Sequence, residues 1–325
     1  MPAHANATIR TDTPASRAIF VVGAGRSGTS AITRGLQALG VELGDNLKPP
    51  TDKNPTGFFE DVDLLRIAKR VRSELGLRSE SVSLIEKGQW KSPELDTLTE
   101  EAVSVIKRRF DRYPLWGFKY AQTLRMLPFW ETVMRQAGTE LAFVVAARNP
   151  LSVARSRSKL DPLRGLQEKT DLEWLVNVVP YFRRLAAYRF AVVEYDLLME
   201  DPRVQLRRMA DRLAIPMDTR AEQGIEAFAS EFLKPGMRHT QFAEDDLKRD
   251  PGLNPLTRDA YLWLRRLATD QVNADDPVLW EDWARIESQL DADAPMLRHV
   301  DYLEAEVRRK RGGRLGRLAA KWFGR

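Results

Sequence analysis

Several short stretches carry residues whose types and spacing could do chemistry. One is Gly23-Ala24-Gly25-Arg26-Ser27-Gly28-Thr29-Ser30. Glycines let backbone N–H groups close on an anion, and a helix opening behind them adds partial positive charge. Arg26, Ser27, Thr29 and Ser30 add side-chain donors. Gly23 and Gly28 have the spacing of a nucleotide-phosphate loop, but Thr29-Ser30 stands where an ATPase carries Lys-Ser/Thr. The lysine and magnesium-ligand pattern of such enzymes is therefore absent. Arg148 and Ser156, an arginine and a hydroxyl on either side of Asn149-Pro150, form a second anion receptor. Glu60, in Gly57-Phe58-Phe59-Glu60-Asp61, is a carboxylate suited to general-base work, and Lys119 closes the run Trp116-Gly117-Phe118-Lys119. Glu194-Tyr195-Asp196 brings a tyrosine and two acids together. Each stretch also has a plain reading: a strand-to-helix turn, an edge arginine, a helix-start acid, an exposed strand-end lysine.

The elements that must position these residues are legible in the apolar pattern. Ala18–Val22, Leu115–Phe118, Leu141–Ala147 and Phe190–Val193 are continuous apolar runs that read as buried strands. Helical patterns alternate with them: from Ala31 to Leu39, Asp61–Leu75, Ser92–Phe110, Leu127–Gln136, Val153–Leu160, Asp171–Tyr188 and Arg203–Leu213. Buried strands alternating with helices predict an α/β fold, a central parallel sheet covered on both faces. Its ligands belong at the carboxyl ends of the strands, where the glycine turn, Arg148 and Tyr195 all fall. Val41–Gly57 reads as a loop and Leu77–Ser92 as a surface excursion. From Thr219 onward the chain reads as mainly helical, broken at Pro235-Gly236 and Pro251–Pro255. Residues 1–17 are expected to be a disordered leader, 18–305 the domain, and 306–325 a basic tail with an apolar side.

Composition narrows the function classes. The 325 residues are 43% hydrophobic and 30% charged, with a net charge of +5, which suits an anionic ligand or surface. Acids nearly match bases, so nucleic acid is not the expected partner. There is no cysteine, which removes thiol nucleophiles, disulfides and Cys-based zinc sites. The three histidines, His4, His239 and His299, lack metal-ligand spacing. No apolar run is long enough for a membrane span, and the N-terminus lacks a signal-peptide core. A cytoplasmic protein is expected, with peripheral contact to an anionic membrane through the basic tail as the sharper reading of that tail.

Taken together, Arg26-Ser27-Gly28-Thr29, the pair Arg148 and Ser156, and Tyr195-Asp196-Leu197-Leu198 followed by Asp201-Pro202 resemble the motifs of the PAPS-dependent sulfotransferases, particularly the bacterial ones. The resemblance covers roughly residues 19–213. It implies a P-loop-kinase-like sheet, a PAPS (3′-phosphoadenosine 5′-phosphosulfate) donor, PAP as product, and no metal. It assigns Arg26, Ser27, Gly28, Thr29 and Ser30 to the 5′-phosphosulfate, Arg148 and Ser156 to the 3′-phosphate, and Tyr195 to the adenine. The tyrosine segment is altered, with Asp directly after Tyr195. Family members that use a glutamate base point to Glu60, since no histidine lies between His4 and His239. Lys119 resembles a lysine near the sulfate in the carbohydrate sulfotransferases. Lys234 and Arg238 fall in a late basic loop of the kind that covers the 3′-phosphate. The implied activity is sulfuryl transfer to a hydroxyl on a glycan or glycolipid. The alternatives are a P-loop kinase or NTPase, and a non-catalytic nucleotide-binding protein of the same fold.

Overall fold

The computed structural model describes residues 16–51, 57–233 and 242–323, the last segment with side chains to residue 310. Its centre is a sheet of four strands: β1 (Arg17–Gly23), β2 (Leu115–Lys119), β3 (Glu140–Ala147) and β4 (Arg189–Glu194). The order is β2-β1-β3-β4, and every pairing is parallel. Val21 pairs with Lys119 on one side and Val144 on the other, and Ala147 pairs with Glu194. Gly23, Lys119, Ala147 and Glu194 therefore end at one edge. The chain moves from β1 to β2 on one side and then to β3 on the other, so a crevice opens at the end of β1.

The apolar runs are continuous because both faces are covered. On one face Phe20, Phe118, Phe143 and Val145 pack with Trp130 and Trp174; on the other Ile19, Val21, Val144 and Val193 pack with Ile32, Leu36 and Leu206. Phe20 sits at the middle of an edge-on aromatic cluster, 5.5 Å from both Phe118 and Trp130 between ring centroids. The outer edge of β2 is closed by the chain at Glu42, whose N–H donates to Leu115 and whose carbonyl accepts from Gly117.

The helices are α1 (Thr29–Ala38), α2 (Val62–Glu74), α3 (Pro93–Arg109), α4 (Leu127–Ala137), α5 (Pro150–Ser158), α6 (Gln167–Val178), α7 (Tyr195–Glu200), α8 (Pro202–Leu213), α9 (Thr219–Ala227), α10 (Glu244–Arg249), α11 (Pro255–Ala268), α12 (Pro277–Ala292) and α13 (Ala294–Phe323). Side-chain caps set several starts: Asp61 for α2, Ser92 for α3, Asn149 for α5 and Asp201 for α8. Trp263 and Trp283 are buried core residues.

The structure departs from the sequence reading at defined places. The helix expected over Asp171–Tyr188 stops at Val178. Pro180 cannot continue the i→i−4 ladder, Tyr181 turns left-handed at φ 63°, and a short 3₁₀ helix, Phe182–Ala187, leads into β4. The helix expected to reach Leu160 ends at Ser158. Leu77–Ser92 is not a surface excursion: Ser81 and Val82 are buried, and the buried Arg125 guanidinium donates to the carbonyls of Ser81 and Ser83. Arg17, assigned to the leader, is the first residue of β1. Helix α13 runs without a break through the point where the basic tail was expected to begin. The break expected at Pro235-Gly236, with Lys234, Arg238 and His239, lies outside the described residues.

Candidate active site

The loop after β1 is built by close contacts that only glycine admits. Gly23 has φ 134°, and a Cβ there would lie 2.6 Å from the Ala146 carbonyl on β3. Gly28 has φ 83°, and its Cβ would lie 2.1 Å from the Tyr195 ring. Gly28 caps α1 without a side-chain hydrogen bond, so the first N–H groups of α1 stay open toward the loop. Arg26 is also left-handed, at φ 76°; the residue is exposed as a whole, but its guanidinium lies against α5 and burial lowers its pKa. Ser27 is fully buried, and its hydroxyl has no partner among the described residues.

β3 and β4 deliver the neighbours. Arg148, 6% exposed, donates from Nη1 to the Arg26 carbonyl at 3.1 Å, and its guanidinium lies 4.4 Å over the Tyr195 ring. Its Nε has no partner among the described residues, and no carboxylate there pairs with Arg148 or Arg26. Ser156, on α5, accepts from Arg26 Nε at 3.2 Å. The expected residues of the two receptors are thus brought to one place, with Arg26 as the link. Tyr195 is 5% exposed, packed against Gly28 and beneath Arg148. Glu194, before it, accepts from Leu197 N–H and from the Tyr261 hydroxyl; burial pushes its carboxyl up to about 7.

The acid side of the site lies at the end of β2. Lys119 is buried at 4% exposure and donates to Glu60 Oε1 at 2.8 Å. Burial lowers the Lys119 pKa, opposed by Glu60 and assisted by Lys48 and Arg26. Lys48 stands 3.8 Å from Glu60 Oε2 and 3.7 Å over the Phe58 ring. Of the aromatic pair before Glu60, Phe58 lies under Lys48 and Phe59 is edge-on to Phe232. Asp61 is fully engaged. It caps α2 and is held by both Nη atoms of Arg109, at 3.0 and 2.7 Å.

Sequence reasoning missed Lys48, Ser152 and Arg157. Ser152 is fully buried with an unpartnered hydroxyl. Arg157 donates to the Gly25 carbonyl at 3.3 Å while its other arm is fixed on buried Glu173 at 2.8 Å. The polar residues Ser152, Ser156 and Arg157 on one short helix were a readable signal. Lys48, in a loop without periodicity, left none. Among the described residues no cluster of three or more His, Asp or Glu could hold a metal ion. The arrangement can receive a polyanion at Arg26, Arg148, Ser27 and the start of α1, with the lysine–glutamate pair at the end of β2.

No protein-family model matches the chain, and no curated protein matches it. Among solved structures it is similar to sulfotransferase STF1 from Mycobacterium tuberculosis, at 16% identity over 74% of this chain and 78% of that one, with a TM-score of 0.39. It is similar to sulfotransferase STF9 from Mycobacterium avium, at 15% identity over 81% and 78%, TM-score 0.42. It is also similar to the sulfotransferase domain of the Synechococcus olefin synthase, at 15% identity over 86% and 96%, TM-score 0.41.

Proposed function

We propose that the protein is a sulfotransferase that moves a sulfuryl group from PAPS to a hydroxyl, on a glycan or glycolipid. The observation that carries this reading is Arg148, held against the glycine loop with its Nε unpartnered and no described carboxylate on its guanidinium, together with the buried, unpartnered Ser27 Oγ of that loop. A buried guanidinium N–H of this kind costs free energy unless an acceptor satisfies it, and an anionic ligand would supply that acceptor together with the missing counter-charge. A nucleotide with separate 3′ and 5′ anionic groups fits two receptors linked by one arginine.

When bound, PAPS supplies an activated sulfuryl group on a good leaving group. Arg26, Ser27 and the Gly28–Ser30 amides would hold the 5′ end and stabilise charge developing on the bridging oxygen. Arg148 and Ser156 would hold the 3′-phosphate. Tyr195 keeps the Arg148 guanidinium against the loop. Arg157 fixes the loop itself through Gly25. Glu60 would accept the acceptor's proton, and Lys119, buried and hydrogen-bonded to Glu60, would supply positive charge for the sulfuryl group. Calorimetry with PAP, PAPS, ATP and GTP, with and without magnesium, tests the reading, followed by an acceptor screen. Magnesium-independent PAP and PAPS binding with sulfated product is expected. Preference for ATP or GTP with magnesium, or PAPS binding without transfer to any acceptor, would overturn it.

A further inference from the structure

We infer that the connection between α5 and α6, together with the adjoining side of α13, is a docking face for an anionic lipid bilayer. The connection, residues 159–166, carries Leu160, Leu163 and Leu166 at 45%, 64% and 55% exposure. It is a tightly pinned turn. Gly165 lies so close to Ser158 that a Cβ there would stand 2.2 Å from the Ser158 Cα. Gly165 N–H donates to the Asp161 carbonyl, Arg164 N–H donates to the Asp161 carboxylate, and the Arg164 guanidinium is fixed on Glu173. The leucines are thus presented outward in a fixed arrangement. Leu163 lines a groove of about 600 Å³ with Leu303 and Val307 of α13, themselves 48% and 51% exposed.

The charge around this apolar patch selects its occupant. Of the groove's carboxylates, Glu80 is engaged by Arg78 and Arg308 and Glu304 by Lys169, while Asp161 is exposed and accepts from the Arg164 N–H. Arg309 is paired with Glu306, whose charge Lys310 also faces, while the exposed Arg155 and Lys159 have no carboxylate within ion-pair distance among the described residues. From Arg308 to Arg325 the sequence contains no Asp or Glu and begins Arg308-Arg309-Lys310-Arg311. Apolar side chains beside a stretch of chain that carries many cations and no acid match the interface of an anionic bilayer. A second copy would set one positive rim against another, which disfavours an isologous contact. The face lies next to the site: Leu160 and Asp161 N–H both donate to the Arg157 carbonyl, and Arg157 holds Gly25 of the phosphate loop. Docking there would bring the crevice to the membrane surface and a lipid-borne hydroxyl within its reach. That consequence for the acceptor rests on the sulfuryl-transfer reading; the docking itself does not.

The test is co-sedimentation of the full chain with vesicles of phosphatidylcholine containing phosphatidylglycerol, against pure phosphatidylcholine, at low and high salt. The variants are Leu163→Asp with Val307→Asp, and Arg309→Gln with Lys310→Gln. Thermal melting and PAP calorimetry on each confirm that fold and nucleotide site are intact. Wild type is expected to pellet with the anionic vesicles only, less at high salt, and both double variants to bind at least about tenfold more weakly. No pelleting, or equal pelleting of all three proteins, overturns the proposal. So does a concentration-dependent wild-type dimer that Leu163→Asp with Val307→Asp abolishes, which would make the face a contact between copies. Because PAP binding is read separately, loss of the docking proposal leaves the functional reading standing, and the reverse.

Discussion

Replacing Gly28 by alanine should damage the protein in two separable ways. The backbone there has φ 83°, a conformation that costs a residue with a Cβ about 1–2 kcal/mol. The new methyl would also stand 2.1 Å from Tyr195 Cδ2 and 2.8 Å from Cε2, so the ring must move. Overpacking of this kind costs about 1–3 kcal/mol. The single substitution should therefore lower stability by roughly 2–5 kcal/mol, the sum of those two ranges. In a Tyr195→Ala background the ring is gone, and Gly28→Ala should cost only the backbone part, about 1–2 kcal/mol. Urea unfolding of wild type, both single variants and the double variant measures the coupling, expected at about 1–3 kcal/mol. The ring also supports the Arg148 guanidinium at 4.4 Å, so Gly28→Ala should weaken PAP by roughly tenfold, the loss of one such contact. Additivity within about 0.5 kcal/mol would show that Tyr195 is not what Gly28 accommodates. Unchanged PAP affinity would show that the loop, the ring and Arg148 do not act as one unit.

Arg148→Ala and Ser156→Ala should each weaken PAP by about 1.5–3 kcal/mol, tenfold or more, while adenosine 5′-phosphosulfate, lacking the 3′-phosphate, loses much less; equal losses by calorimetry would reassign the pair to the 5′ end. Glu60→Gln should cut turnover by about 10²–10⁴ with PAPS affinity nearly unchanged. If PAP affinity collapses instead, Glu60 serves to hold Lys119. Asp61→Asn should act on stability rather than turnover, since Asp61 caps α2 and binds Arg109. The Glu194 carboxyl is raised from its ordinary 4.5 to about 7, so the folded state keeps a proton that the unfolded chain has lost. Its contribution is fully present below pH 4.5 and is lost as pH rises toward 7, by up to about 3 kcal/mol. Glu194→Gln should flatten that fall in urea titrations across the range; an unaltered slope would assign it to other groups, such as Asp171, also raised to about 7.

The strands were legible because burial on both faces leaves only apolar side chains, as in Ala18–Val22 and Leu141–Ala147. The glycine loop was legible because Gly23 and Gly28 hold positions that a Cβ cannot enter. Residue type and order along the chain were enough to nominate Arg26, Arg148, Ser156, Glu60, Lys119 and Tyr195. What each one touches was decided only by tertiary structure, because the parallel sheet brings together residues from separate crossover units. Lys119 could have been an exposed strand end, and the arrival of Glu60 from a distant loop makes it a buried ion pair. Tyr195 was nominated for a ligand, and only the tertiary structure shows that its ring packs against Gly28 and beneath Arg148. Lys48 and Arg157 entered the site unannounced, since a cation's role is set by which carbonyl or carboxylate it meets. The segment over Leu77–Ser92 lacked periodicity and so read as surface. It is held by Arg125 and Arg164 donating to its carbonyls, and backbone acceptors leave no trace in the side-chain sequence.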